Sequence, residues 1–189
     1  MALRDAVLTA LLAGEASGYD LAKAFDASVA DFWTATPQQL YRELERMQAG
    51  GLVRARLVQQ DKRPNKRLFS LTDAGREALF RFTTEPPKPT AIRDDLLVKV
   101  QAVDSGDIAA VRAAVAEQLE RSNKTLVRYD RMRARLLDGR CEADHLANAD
   151  RVGPYLTLQR GILFEKENVR WAKQVLAVLA ERLSTQAQA

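Results

Sequence analysis

Hydrophobic residues recur at helical intervals in three separate runs over the first fifty positions. Leu3, Val7, Leu8, Leu11 and Leu12 line one face of a helix expected over 2–12, which Gly14 stops. Ser17 stands where an N-cap belongs. Tyr19, Leu21, Ala22, Phe25 and Val29 then share a face, which predicts a second helix ending before Phe32 and Trp33. A third helix opens at Thr36-Pro37, a capping hydroxyl followed by proline at the first helical position, and repeats Leu40, Leu44 and Met47 until Gly50-Gly51 ends it. The period then changes. Residues 52–58 carry β-branched side chains in partial alternation and 67–71 alternate more clearly, so two strands are expected, joined by an exposed tip over 59–66 around Pro64-Asn65. Thr72 caps a fourth helix through Asp73, Ala74, Ala78, Leu79 and Phe82.

Pro86-Pro87-Lys88-Pro89 interrupts any helix and marks a junction, dividing the chain into expected domains 1–85 and 86–189. The second half is helical throughout its pattern, with helices expected over about 92–103, 107–137 and 154–183. The fold class is therefore mainly α with a small β-ribbon. In the last helix Leu158, Ile162, Val169, Ala172, Leu176, Leu179 and Leu183 fall at alternating four- and three-residue steps, broken only by Glu165. Such a seam needs a partner helix. The chain's own long helix offers Val111, Val115, Leu119, Leu126, Tyr129 and Met132, but three helices without a sheet make a thin layer, which favours pairing of the seam across a homodimer.

The whole-chain charge of +4, from 29 basic and 25 acidic residues, decides little; its distribution decides more. Residues 1–36 hold two basic against five acidic side chains, a net −3, whereas 54–67 hold six basic residues and Asp61 alone, a net +5. A positive hairpin beside a helix is the footprint of a phosphate-facing surface. On the third helix, Gln38, Gln39, Arg42, Glu45, Arg46 and Ala49 lie opposite the apolar stripe. Glutamine pairs bidentately with adenine and arginine with guanine or phosphate, which is the chemistry of a major-groove reader.

Other classes fit less well. Cys141 is the sole cysteine and His145 the sole histidine, so a disulfide within the chain is excluded and a cofactor or metal is not expected; the pair reads as ordinary surface or packing residues on a polar turn. No phosphate-binding glycine loop or nucleophile elbow occurs, and the carboxylates of Asp94-Asp95 or Glu165 and Glu167 point in different directions on a helix, so catalysis is not expected. No apolar run is long enough to span a membrane and no cleavage-type pattern follows the N-terminal stretch, so a cytoplasmic protein is expected.

Several segments taken in order resemble the PadR transcriptional regulators, in particular the longer members with a virulence-activator-type helical C-terminal domain. They are Ser17-Gly18-Tyr19-Asp20-Leu21, Phe32-Trp33, Thr36-Pro37-Gln38-Gln39-Leu40-Tyr41, Gly51-Leu52-Val53, Leu71-Thr72-Asp73-Ala74-Gly75-Arg76 and Arg93-Asp94-Asp95-Leu96-Leu97. Many members place proline after the recognition-helix tyrosine, where this chain has Arg42 and an added positive charge. The resemblance implies a winged helix-turn-helix domain, a dimer formed through the C-terminal helices, and repression of a neighbouring operon relieved by a small molecule or stress. On this reading Gln38, Gln39, Tyr41, Arg42 and Arg46 face double-stranded DNA in a major groove, while Lys62, Arg63, Lys66 and Arg67 follow phosphates. Trp33 and Trp171 are candidates for lining an effector pocket, with plain core packing as the alternative. The rival reading of the whole chain is a winged-helix module that binds another protein and no DNA.

Overall fold

A computed structural model describes residues 2–24, 35–59, 65–87, 89 and 93–186, and the fold divides into two units, Met1–Pro89 and Thr90–Ala189. The first unit runs α1 (Ala2–Ala10, continued by a 3-10 turn at Leu11–Ala13), β1 (Ala16–Ser17), α2 (Gly18–Ala24), α3 (Pro37–Ala49), β2 (Val53–Val58), β3 (Lys66–Leu71) and α4 (Asp73–Thr84). Val7, Leu8, Leu21, Leu40, Leu44, Met47 and Val53 are almost wholly withdrawn from solvent, so the helical stripes of α1, α2 and α3 meet on the sheet. Removing one such leucine to alanine would cost about 2–5 kcal/mol.

Three strands form where the pattern predicts two. β2 and β3 pair antiparallel, Val53 opposite Leu71 and Val58 opposite Lys66, and β1 adds Ala16 opposite Phe69 and Ser17 opposite Leu68, giving the order β1-β3-β2. A two-residue strand is too short for alternation to reveal it. Tyr19, expected on the buried face of α2, is 69% exposed, because it lies about 200° round the helix from Leu21, which faces the core. The other expected face residues, Phe25 and Val29, and the Phe32-Trp33 pair lie outside the described residues.

Thr72 joins ribbon to helix. Its hydroxyl accepts from the Gly75 amide (3.1 Å) as the cap of α4 and donates to the Gly51 carbonyl (2.6 Å), and its amide donates to Leu52 O (3.1 Å). A Cβ at Gly75 would sit 2.1 Å from the Leu52 carbonyl oxygen, so only glycine lets α4 approach the strand this closely.

The second unit contains α5 (Asp95–Gln101), a 3-10 turn at Val103–Ser105, α6 (Ile108–Leu137), α7 (Glu142–Asn148) and α8 (Gly153–Gln186). Asp94 caps α5 and Asp107 caps α6 through side-chain acceptance from Leu96 N and Ala110 N. The expected polar turn around Cys141 and His145 is instead α7. Seven residues carry too few apolar positions to show a period, although the Cys141 thiol accepts from the Asp144 amide at 3.4 Å as its N-cap. Arg133 fastens α7 to its neighbours, bonding Glu142 at 2.7 Å and donating to the Tyr155 hydroxyl at 3.0 Å, and His145 is buried beside the Tyr155 ring.

The seam of the last helix is used within the chain. Leu158, Ala172 and Leu179 are buried and Ile162, Val169, Leu176 and Leu183 are half-buried. Ala172, Leu176, Leu179 and Leu183 pack with Ile108, Val111 and Val115 of α6. Four of the seven seam residues are thereby engaged within the chain, and Ile162, Val169, Leu176 and Leu183 keep part of their surface exposed. A stripe meets the nearest complementary helix, and α6 is covalently tethered at high effective concentration.

Candidate nucleic-acid interface

α3 begins with a complete capping box. The Thr36 hydroxyl accepts from the Gln39 amide (3.2 Å), the Gln39 side-chain oxygen accepts from the Thr36 amide (2.9 Å), and Pro37 occupies the first helical position. Leu40, Leu44 and Met47 anchor the helix in the core, which turns Gln38, Gln39, Arg42, Glu45 and Arg46 into solvent along a cylinder of about 20 Å. Gln39 thus spends its oxygen on the cap and retains its amide N–H donors. Arg46 bonds Glu43 at 3.1 Å, whereas Arg42 forms no ion pair among the described residues.

Tyr41 is 46% exposed, and its position is set by α2. A Cβ at Gly18 would lie 2.2 Å from the Tyr41 ring, so the bare Gly18 backbone is the surface on which that ring rests. The short contact between α2 and α3 therefore depends on two residues that lie in separate motifs along the chain.

The ribbon lies beside α3 and is joined to it by Arg67, which donates to the Gln48 side chain and stands 5.0 Å over the Phe69 ring. Arg54 donates to Ser70 Oγ at 3.0 Å. Lys66, opposite Val58, is the last paired residue of the ribbon before the connection between its strands, with Arg67 next to it, while Lys62 and Arg63 lie outside the described residues. The structure thus brings Gln38, Gln39, Tyr41, Arg42, Arg46, Lys66 and Arg67 into one unit, on α3 and the adjoining ribbon.

Sequence reasoning missed the partners of the ribbon cations. Lys66 Nζ is 2.7 Å from Asp20 Oδ2, and Arg56 Nη2 is 2.6 Å from Glu15 Oε2. The Lys66 hydrogen bond, followed by that of Ser17, holds the Asp20 carboxyl below its ordinary pKa, and the Arg56 hydrogen bond does the same for Glu15. The opposed charges of 1–36 and 54–67 were the available signal. Along the chain they are separate regions, whereas β1 pairs with β3 and brings them together.

In the second unit a cleft of about 340 Å³ is lined by Val100, Val103, Trp171, Val175 and Val178 and flanked by the Asp104–Arg182 ion pair (2.7 Å). Trp171 is half-buried there against the α6–α8 core, and Trp33 lies outside the described residues. Among the described residues no cluster of three or more His, Cys, Asp or Glu side chains could hold a metal ion, and no helix is long and apolar enough to cross a membrane.

Comparison with known proteins covers both units. Residues 7–81 match the transcriptional regulator PadR-like family, and residues 92–180 match the virulence activator alpha C-terminal family. A probable transcriptional regulator of Mycobacterium tuberculosis is 36% identical over 96% of this chain and 100% of its own length. Bacillus subtilis PadR in complex with operator DNA superposes with a TM-score of 0.76 at 26% identity, covering 95% of this chain and 99% of that one; the same protein is also known in complex with p-coumaric acid. The Vibrio cholerae virulence activator AphA is 31% identical with a TM-score of 0.70 and the same coverage.

Proposed function

Since the chain belongs to the PadR-like family of transcriptional regulators, with a C-terminal half of the virulence-activator type, we propose that it is a homodimeric repressor that binds an inverted-repeat operator. Residues 1–85 form the DNA-binding domain and 86–189 the dimerisation domain. Gln38, Gln39, Tyr41, Arg42 and Arg46 enter a major groove, and Lys62, Arg63, Lys66 and Arg67 follow the phosphates beside it. The observation that carries this reading is the capped, core-anchored α3, whose outward side is rich in glutamine and arginine and whose neighbour is a basic ribbon.

The dimer draws on the α8 seam, Leu158, Ile162, Val169, Ala172, Leu176, Leu179 and Leu183, of which four stay half-exposed, widened by the exposed apolar residues Leu156, Leu163 and Phe164 beside it. A small-molecule effector releases the operator by favouring one spacing of the two recognition helices, and the Trp171 cleft is the part of the second unit that supports such a site. The protein acts in the cytoplasm, without cofactor and without catalysis.

The test is the salt dependence of duplex binding. With about four phosphates neutralised per protomer, operator fragments selected from the source genome bind with a log-log salt slope near −7. A flat response, or no retention on duplex DNA at low salt, overturns the reading in favour of a protein-binding module.

A further inference from the structure

Lys66, one of the ribbon cations of the candidate phosphate contact, is already engaged by the chain's own carboxylate. Asp20 Oδ2 lies 2.7 Å from Lys66 Nζ, and the same oxygen accepts from Ser17 Oγ (2.8 Å) and Ser17 N (3.4 Å). Ser17 is buried and in return accepts from the Asp20 amide at 3.1 Å, so the carboxylate is anchored rather than free to swing away. It is an anion in a fixed place, presented to Lys66 without any loss of freedom on association. Phosphates of a duplex held in no fixed register offer the opposite, a moving partner whose capture costs ordering of Lys66 and of the DNA contact. A phosphate held in register by the other contacts of a specific complex carries no such ordering cost, so it competes with the carboxylate on better terms than a phosphate of arbitrary duplex.

Resting on the proposed DNA-binding function, we infer that Asp20 is a specificity-determining residue that withholds Lys66 from the phosphates of non-cognate duplex. It thereby lowers the background against which an operator is read. Affinity for arbitrary DNA is an electrostatic quantity set by the number of phosphates neutralised, and discrimination is the ratio of operator to background affinity. A carboxylate that removes one cation from the background complex raises that ratio without touching a base.

The experiment measures binding of the full-length protein to a random-sequence duplex as a function of salt, for wild type, D20N, K66M and the double variant. With Lys66 withheld, about three phosphates per protomer give a wild-type dimer slope near −5; D20N frees Lys66, tightens binding and steepens the slope to about −7. In the K66M background D20N leaves the slope unchanged. The inference is overturned if D20N does not steepen the slope when Lys66 is present. It is equally overturned if D20N acts alike with and without Lys66, because the effect is then simple loss of a negative charge. D20S, which keeps a hydroxyl acceptor for Ser17, carries the same expectation should D20N fold poorly. A wild-type protein that binds the duplex without salt dependence removes the DNA-binding reading itself, a result distinct from a salt-dependent wild type that D20N fails to alter.

Discussion

Tyr41 and Gly18 show how a side chain on the candidate interface is placed by a residue on another helix. Because a Cβ at Gly18 would fall 2.2 Å from the Tyr41 ring, G18A should destabilise the protein by about 1–3 kcal/mol through overpacking. In a Y41A background the same substitution should be nearly neutral. Urea denaturation of the four proteins in this cycle checks it, and equal costs in both backgrounds would show that Gly18 serves only its own backbone. Both residues were legible as members of motifs, but their contact was not, because a close approach between helices leaves no mark in the spacing along one chain. Gln39 is similar. Its place on the outward side of α3 followed from 100° steps, yet its oxygen is engaged with the Thr36 amide, a bond that depends on one rotamer.

At the level of elements, the Glu15–Arg56 and Asp20–Lys66 ion pairs add to the β1–β3 pairing that joins the N-terminal segment to the basic ribbon. Both carboxyls lie below their ordinary pKa values of 4.5 and 3.8, so the unfolded chain binds more protons than the folded one in this range. Their contribution to stability is complete above the ordinary values and is lost as pH falls through the lowered folded-state values. Stability measured by denaturation from pH 6 to pH 2 should therefore decline on the acid side, and the E15Q/D20N variant should show a shallower decline. An unchanged acid limb would mean that these pairs tie nothing together. The elements themselves were largely visible beforehand, since Thr36, Thr72 and Asp107 announce helix starts by local chemistry. β1 and α7 were not, because two and seven residues fall below the length at which a period can be read.

For the whole molecule, the proposed dimer and the packing of α8 on α6 separate under mutation. Leu163 and Phe164 are 65% and 52% exposed, so L163K/F164K should leave helical content unchanged while converting a dimer to a monomer in sedimentation velocity. Ala172 is fully buried against α6, so A172L should cost about 1–3 kcal/mol of stability whatever the oligomeric state. A monomeric wild type, or an L163K/F164K variant that remains dimeric, would move the contact elsewhere. The amino-acid sequence by itself determined the helical runs, the ribbon, the capped α3 with its polar outer side and the resemblance to a regulator family, because periodicity, caps and charge are properties of neighbouring residues. Only the tertiary structure decided which helix receives the α8 stripe, which acid meets which ribbon cation and where Tyr41 rests. An apolar stripe or a charge specifies the kind of partner it needs but not its address, and the address is settled when the chain brings distant segments to within a few ångströms.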